Sequence, residues 1–185
     1  MKTDRAWLNV DPYLADIVRR SLPIESETGA EVMGPEKGCG ENEYSPQVDE
    51  LGPEHAAELF DALRTVELPF PPQTVSEVEE RLLKRDKVFG VFVGDRLASA
   101  VTYRSFLGLG IISMVLTRPE YRGRGFATSA ISAAIHHYFQ DPDAERMALF
   151  VKSDNTSAKH VYQKVGFRTH KKPVYMGLGV QVQIR

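Results

Sequence analysis

The spacing of hydrophobic side chains changes along the chain and predicts two kinds of element. In several segments apolar residues recur every three or four positions, as expected for amphipathic helices. In others they form short continuous or alternating runs, often bounded by glycine or other turn residues, as expected for strands. The predicted helices are 11–21, 54–66, 74–84, 126–139 and 157–165, and the predicted strands are 88–93, 96–103, 110–117, 147–152 and 174–178.

The order of these elements favours an α+β fold. Two helices precede two strands that are separated only by Gly94-Asp95, which predicts an antiparallel β-hairpin. Strands and helices then alternate towards the end of the chain. A hairpin followed by strand–helix–strand units predicts a mixed sheet flanked by helices, in contrast to an all-parallel doubly wound sheet.

The N-terminal part of the chain has a different composition from the rest. Pro23 ends the helix predicted over 11–21, and residues 25–47 are rich in Glu and Gly, with few large apolar side chains. This composition predicts a loop or a poorly ordered linker. We therefore expect an N-terminal extension over 1–52, made of the short helix and this loop, and a main domain over 53–185.

Composition and charge narrow the class of protein. The 185 residues are 42% apolar and 26% charged, which excludes wholesale disorder and fits one domain with an appendage. The formal net charge of -2 lacks the basic excess of a dedicated nucleic-acid binder. No apolar run approaches the roughly 20 residues of a membrane span, and no secretory signal is recognised. The lone cysteine, Cys39, excludes an internal disulfide and favours a cytoplasmic setting.

The stretch 115–128 predicts an anion-binding turn. A strand ends, a turn with Gly123 and Gly125 follows, and a long helix begins. The first N–H groups of a helix have no partner within the helix and lie at the positive end of its dipole, which suits a phosphate or pyrophosphate. Arg124 adds positive charge, and the hydroxyl of Thr128 adds a hydrogen-bond donor.

The composition of this turn does not by itself require a bound phosphate. A solvated turn leading into a core helix has the same composition. A Walker-type loop fits poorly because no Gly-Lys-Ser or Gly-Lys-Thr precedes the helix. A dinucleotide fingerprint also fits poorly, because Thr128 replaces the third glycine and residues 118–122 separate the turn from the strand.

A second motif follows the strand predicted over 147–152. It has the form N-x-x-A-x-x-x-Y-x-K-x-G-F and runs from Asn155 to Phe167. Together with P-E-Y-R-G-R-G-F-A-T at 119–128, it resembles the GNAT superfamily of acyl-CoA-dependent N-acetyltransferases. The resemblance covers about residues 54 to 178. The first motif is also similar to that of a subgroup whose members have an extra N-terminal region.

The resemblance implies a fold and a cosubstrate. The fold is a twisted mixed sheet whose two central strands splay apart in a V, with acetyl-CoA bound in the V. The backbone of Val115, Leu116 and Thr117 would pair with the pantetheine arm. Asn155 would hydrogen-bond that arm or cap the last helix. The implied pyrophosphate contacts are Gly123, Arg124, Gly125, Phe126, Ala127 and Thr128, although Glu120 stands where the family usually has Gln or Arg.

The same resemblance assigns catalytic roles. Tyr162 matches the tyrosine that protonates the departing thiolate, and backbone N–H groups near Val115 and Leu116 would polarise the thioester carbonyl. A phenol has an ordinary pKa of about 10, so it is protonated at neutral pH. The alternative is that Tyr162 only packs on its helix face, beside Val161 and Val165.

The general base is left open. Relatives carry a Glu at one of two positions that are Phe150 and Ile112 here, and both are apolar. Glu67 and His170 are candidate bases, and a water chain to bulk solvent is a third possibility. No metal-ligand spacing stands out, so no metal is expected.

The sequence therefore predicts an N-acetyltransferase that moves an acetyl group from acetyl-CoA directly to a primary amine. The acceptor is expected to be a small molecule or a peptide, with no nucleic-acid or membrane partner, and the protein a monomer or homodimer. The alternative is an acyl-CoA-binding sensor or scaffold without transferase activity, which the apolar Phe150 and Ile112 favour.

Overall fold

The computed structural model describes residues 6–35, 48–66, 71–84 and 87–178. These residues form nine strands and five α-helices, and none of these helices is long and apolar enough to cross a membrane. The strands are β1 Ala6–Val10, β2 Ile24–Pro35, β3 Val48–Glu50, β4 Lys87–Val93, β5 Arg96–Phe106, β6 Leu109–Thr117, β7 Arg146–Lys152, β8 Phe167–Lys171 and β9 Val174–Leu178. The helices are α1 Ala15–Ser21, α2 Ala56–Leu63, α3 Val75–Lys84, α4 Phe126–Phe139 and α5 Thr156–Lys164.

The strands form one mixed sheet in the order β1-β9-β2-β7-β6-β5-β4-β3, and β8 also pairs with β2. Within the described ranges, β6 and β7 are the parallel pair and the other pairings are antiparallel. The connection from β6 to β7 runs through α4, as a parallel pair requires. The predicted α+β class with a mixed sheet is confirmed.

Local chemistry explains where several elements begin and end. The β4–β5 turn needs the positive φ of Gly94, which is 60°. The backbone N–H of Glu77 donates to the hydroxyl of Thr74 at 3.2 Å, so Thr74 caps α3. Gly166, with φ at 93°, follows the last turn of α5. All ten elements predicted from the hydrophobic pattern are present near their predicted positions.

The predicted loop over 25–47 is wrong for its first part. Residues up to Pro35 belong to β2, which pairs with β7, β8 and β9. Its Glu, Ser and Gly residues are poor strand formers, so hydrogen bonding to strands on both sides imposes the extended conformation. β1, β3 and β8 were not predicted either. Cys39 and the rest of the loop lie outside the described residues, and the division of the chain at residue 52 stays a prediction.

Helices cover the two faces of the sheet unequally. On one face, which we call the α4 face, Ile131 and Ile135 of α4 pack with Leu149 of β7, and α5 adds Tyr162. On the opposite face, the α2 face, α2 and α3 pack on β4, β5 and β6, with Leu116 of β6 buried among them. Helices therefore cover both faces of the sheet at β4, β5 and β6.

Candidate functional site

β6 and β7 separate part of the way along the sheet. Their parallel pairing begins at Leu109 with Arg146 and ends at Ile112 with Leu149. β6 continues to Thr117 beyond this point, and β7 continues to Lys152. The two strands therefore splay apart, and the edge of β6 that faces the gap has no strand partner there among the residues that the structure describes. The V predicted from the family resemblance is present.

A cleft of about 660 Å³ lies at this gap, between the end of β6, the turn that follows and α5. It brings the two sequence motifs together although they are far apart in the chain. Every residue predicted to bind the cosubstrate lines this cleft: Val115, Leu116, Thr117, Gly123, Arg124, Gly125, Phe126, Ala127, Thr128 and Asn155. Tyr162 lines it as well.

The glycine turn presents a row of backbone donors to the cleft. Gly123 and Gly125 have φ values of 75° and 83°, and a side chain added at either position would meet no heavy atom within 4 Å. None of the amides from Gly123 to Thr128 donates to a carbonyl of the described backbone, and the first such bond after the turn joins the N–H of Ser129 to the oxygen of Gly125 at 3.1 Å. The amides lie at the N-terminus of the 14-residue helix α4. This arrangement suits a pyrophosphate.

A buried arginine, paired with two carboxylates in a way that the sequence did not predict, holds the start of this turn. Arg118, only 1% exposed, donates to Glu58 at 2.9 Å and lies 2.8 Å from Asp61, both on α2. Its Nε also donates to the backbone oxygen of Leu97 at 2.7 Å. The link joins residues 60 positions apart, so no local pattern signals it. It fixes the backbone between β6 and the glycine turn.

Tyr162 combines a packing role with a place on the cleft wall. It is 8% exposed and belongs to the main core, with the ring of Phe167 at 6.4 Å. Burial raises the pKa of Tyr162 to about 12, so the phenol remains protonated over the whole physiological range. Desolvation alone causes this shift, without a hydrogen-bonded partner, and Tyr162 lines the cleft, so its hydroxyl is available to a ligand there.

Polar side chains at the cleft rim have defined partners. Asn155 caps α5, because its side-chain oxygen accepts from the N–H of Ala158 at 3.1 Å. Of its two predicted roles, capping is therefore observed. The Nε of Arg122 donates to the backbone oxygen of Thr117 at 3.3 Å. The guanidinium of Arg124 lies over the ring of Tyr121 at 5.6 Å.

The candidate bases are distributed differently. Glu67 lies outside the described residues. Ile112 is buried and Phe150 is 46% exposed. Both side chains are apolar, so neither position carries a proton acceptor. His170 is an exposed residue of β8, and its ring lies beside Gly34, 3.1 Å from where a β-carbon on that glycine would be. No group of three or more His, Cys, Asp or Glu that could hold a metal occurs among the described residues.

Comparison with known proteins agrees with this geometry. A family model described as the acetyltransferase (GNAT) family matches residues 56–167, which is more than half of the chain. The mycothiol acetyltransferase of Tsukamurella paurometabola is 37% identical over 67 residues, which are 36% of this chain and 23% of that relative. The spermidine N(1)-acetyltransferase of Escherichia coli K12 is 36% identical over 53 residues, which are 29% of this chain and 28% of that relative. The chain thus spans about a quarter of the length of these relatives.

The fold is also found among solved structures. A protein described as an acetyltransferase of the GNAT family from Novosphingobium aromaticivorans superposes with a TM-score of 0.76 at 22% sequence identity. The superposition covers 98% of this chain and 77% of that one, so it includes the N-terminal strands as well as the glycine turn. The splayed strands, the glycine turn and the family match together show that the chain belongs to the GNAT acetyltransferase family.

Proposed function

We propose that the protein is an N-acetyltransferase that moves an acetyl group from acetyl-CoA to a primary amine by direct attack. The observation that carries this proposal is the row of amides from Gly123 to Thr128, which have no acceptor in the described backbone and line the cleft at the strand gap. The family provides the transfer of an acetyl group as the expected chemistry.

The residues of the cleft fit the cosubstrate. The amides of the glycine turn and the dipole of α4 would hold the pyrophosphate. The unpaired edge of β6 at Val115, Leu116 and Thr117 would add hydrogen bonds to the amides of the pantetheine arm, as a neighbouring strand does. Asn155 keeps its side-chain N–H₂ for the same arm, since only its oxygen is used in capping α5.

Tyr162 is the proposed acid. The amine nitrogen forms the new C–N bond with its lone pair, and the C–S bond breaks with its electron pair on sulfur. The hydroxyl of Tyr162 donates its proton to that sulfur, and the proton lost by the amine passes to water and restores the phenol. The protonated state of the phenol, secured by burial that raises the pKa to about 12, is the state this role requires.

The second candidate is an acyl-CoA-binding domain without transferase activity. The apolar side chains of Phe150 and Ile112 favour it, since they remove the carboxylates that relatives of this family use as a base. An α-amine, with a pKa of about 7.7 to 8.0, is partly neutral at pH 7.4 and needs little help from a base. We therefore retain the transferase as the main proposal.

One experiment separates the two candidates. Calorimetric titration with acetyl-CoA measures binding, and release of the free thiol over a panel of primary amines measures transfer. We expect binding together with thiol release for at least one class of amine. Binding without release for every amine would establish the sensor, and a lack of binding would overturn both proposals.

A further inference from the structure

One half of the α2 face of the sheet is not covered by any helix in the described ranges. The helices α2 and α3 pack on β4, β5 and β6, but the residues they bury include none from β7, β2 or β9. Five half-buried or exposed apolar side chains lie on this uncovered area, which we call the open shelf: Ile111, Ala148, Phe150, Val32 and Tyr175.

Strand pairing puts these side chains on one face. Ile111 pairs with Ala148 across β6 and β7, and Phe150 follows Ala148 by two residues, so the three point the same way. Val32 of β2 pairs with Phe150. The neighbours Leu149 and Val151 are buried against the α4 face, so the shelf lies on the opposite face. The rings of Phe150 and Tyr175 meet edge to face with centroids 6.3 Å apart, which carries the apolar surface onto β9.

The shelf is continuous with the gap between β6 and β7. Phe150 is the first residue of β7 beyond the last paired position, Leu149 with Ile112. The cleft itself is lined by Tyr162 from the α4 face and by Val66, which packs with α2, from the other. The shelf residues do not line the cleft itself, so an acceptor on the shelf would reach a group in the cleft through the gap that opens after Ile112 and Leu149.

The described strands around the shelf carry few acidic side chains that would attract a polycation. Strands β6, β7, β8 and β9 contain no Asp or Glu. The carboxylates of Glu27 and Glu31 on β2 are bonded to Arg19 and Lys159, on the α4 face. Glu25 lies at the far end of β2 from Val32.

Exposed cations border the shelf instead. Arg146, Ala148, Phe150 and Lys152 follow one another at every second position of β7, so the two cations point to the same face as the shelf. Arg104 of β5 pairs with Ile111 and lies on that face as well. All three are exposed. This border attracts a carboxylate and repels a second ammonium group.

We infer that the acceptor is an α-amine whose carrier has an apolar or aromatic side chain and a carboxylate, such as an amino acid or a peptide N-terminus. This inference rests on the proposed transferase function. The apolar side chain would lie on Phe150 and Tyr175, and the carboxylate would face the basic border. The α-amine of a peptide N-terminus also suits a site without a carboxylate base, because roughly a quarter of it is neutral at pH 7.4, against about one part in a thousand of a lysine amine.

Thiol release with a matched set of acceptors tests the inference. The set contains phenylalanine, phenylalaninamide, a phenylalanyl-glutamate peptide, Nα-blocked lysine and spermidine. We expect kcat/KM for phenylalanine or for the peptide to exceed that for blocked lysine and spermidine by about 10-fold or more, since the apolar contact and the amine pKa act together. Phenylalaninamide, which lacks the carboxylate, should be poorer than phenylalanine when each rate is divided by the concentration of neutral amine, because the amide has the lower amine pKa. On the same scale, the ratio of phenylalanine to peptide identifies the free or the chain-terminal source.

The other outcomes are distinguishable. Faster transfer to blocked lysine or spermidine than to any α-amine would overturn the acceptor class and leave the transferase function standing. Binding of acetyl-CoA without thiol release from any member of the set or of a broader amine panel would overturn the transferase function, and the acceptor class with it.

Variants of shelf residues test whether the acceptor binds on the shelf. Phe150→Ala should raise the KM for phenylalanine by about 10-fold, with the Kd for acetyl-CoA unchanged. Phe139→Ala is the matched control, because Phe139 is 39% exposed at the C-terminal end of α4, on the opposite face of the sheet, and should leave both constants unchanged. Lys152→Gln should raise the KM for phenylalanine by about 3-fold and leave the KM for phenylalaninamide unchanged. Equal effects of Phe150→Ala and Phe139→Ala on the KM would remove the shelf from acceptor binding.

Discussion

At the scale of single residues, Tyr162 shows how one side chain serves the core and the cleft together. Its ring is packed with Phe167, and its hydroxyl, without a partner among the described residues, reaches the cleft lining. The same burial that stabilises the ring keeps the phenol protonated. Removing the oxygen alone should therefore separate the two roles.

Tyr162→Phe keeps the ring and removes the proton donor. We expect kcat to fall by about 100-fold, the typical contribution of a general acid. The Kd for acetyl-CoA and the free energy of unfolding should hardly change, because the ring that packs against Phe167 is kept. Tyr13→Phe, at an exposed position 78% accessible to solvent, is the control. Unchanged turnover in Tyr162→Phe would exclude the acid role.

The glycine turn gives a second residue-scale prediction. Gly125→Ala and Gly94→Ala both place a β-carbon at a positive φ with open space around it. Each should lower the free energy of unfolding by about 1 kcal/mol, because an L side chain is strained in that conformation. Only Gly125→Ala should also weaken acetyl-CoA binding, by about 10-fold, since misplaced amides lose hydrogen bonds to a charged group. Calorimetric titration of both variants checks this, and equal affinities would argue against the turn as the pyrophosphate site.

At the scale of elements, Arg118 connects α2 to the beginning of the turn that leads into α4. The two carboxylates of Glu58 and Asp61 hold one end of its guanidinium, and the oxygen of Leu97 accepts from Nε. The N–H of Leu97 also donates to Glu58 at 3.0 Å. A helix, a strand and the start of the turn are thus joined through one side chain.

Arg118→Met should therefore have two effects. The free energy of unfolding, measured in urea, should fall by about 2 kcal/mol or more, because buried hydrogen bonds to charged groups are lost. The Kd for acetyl-CoA should rise, because the turn is no longer held in place. Arg96→Met is the control, since Arg96 is 56% exposed and its carboxylates lie 3.9 Å away. A loss of stability in Arg118→Met without any change in acetyl-CoA binding would limit Arg118 to a structural role.

Several elements were predictable because their signals are local. The turn Gly94-Asp95 and the glycine pair at 123 and 125 each act within a few residues, and each is found as predicted. β2 was missed because its conformation depends on partners such as Lys152, far along the chain from Ala30. Arg118 was missed for the same reason, since its partners are on another element.

At the scale of the whole molecule, β2 joins the N-terminal segment to the body of the sheet. Glu31 of β2 is 8% exposed and accepts hydrogen bonds from Thr169 at 2.5 Å and from Lys159 at 2.9 Å. The hydrogen bond from Thr169, followed by that from Lys159, holds the pKa of Glu31 below its usual range. A carboxylate on the first long strand thereby connects β8 and α5.

Glu31→Gln tests this connection. A carboxyl with a lowered pKa in the folded state stabilises the protein fully above its ordinary pKa of 4.5, and that stabilisation is lost as the pH falls through the lower folded value. At pH 7 the variant should lose about 2 kcal/mol of unfolding free energy. The difference from the native protein should shrink as the pH falls below 4.5.

The matched control is Glu27→Gln, on the same strand, where the carboxylate pairs with Arg19 at an exposed position. It should lose much less stability than Glu31→Gln at pH 7. A pH-independent loss in Glu31→Gln, measured by urea unfolding from pH 7 down to pH 3, would contradict the proposed contribution of its charge.

The sequence by itself determined the short-range features: the helix and strand periods, the glycine turn, the caps and the spacing that matches the GNAT family. These depend on steric and hydrogen-bonding rules that act between close neighbours in the chain. Only the tertiary structure decided that β2 enters the sheet, at which residue the predicted splaying of β6 and β7 begins, and that Arg118 is buried between α2 and β5. Those outcomes depend on burial and strand pairing between distant residues, which become defined when the whole chain has packed.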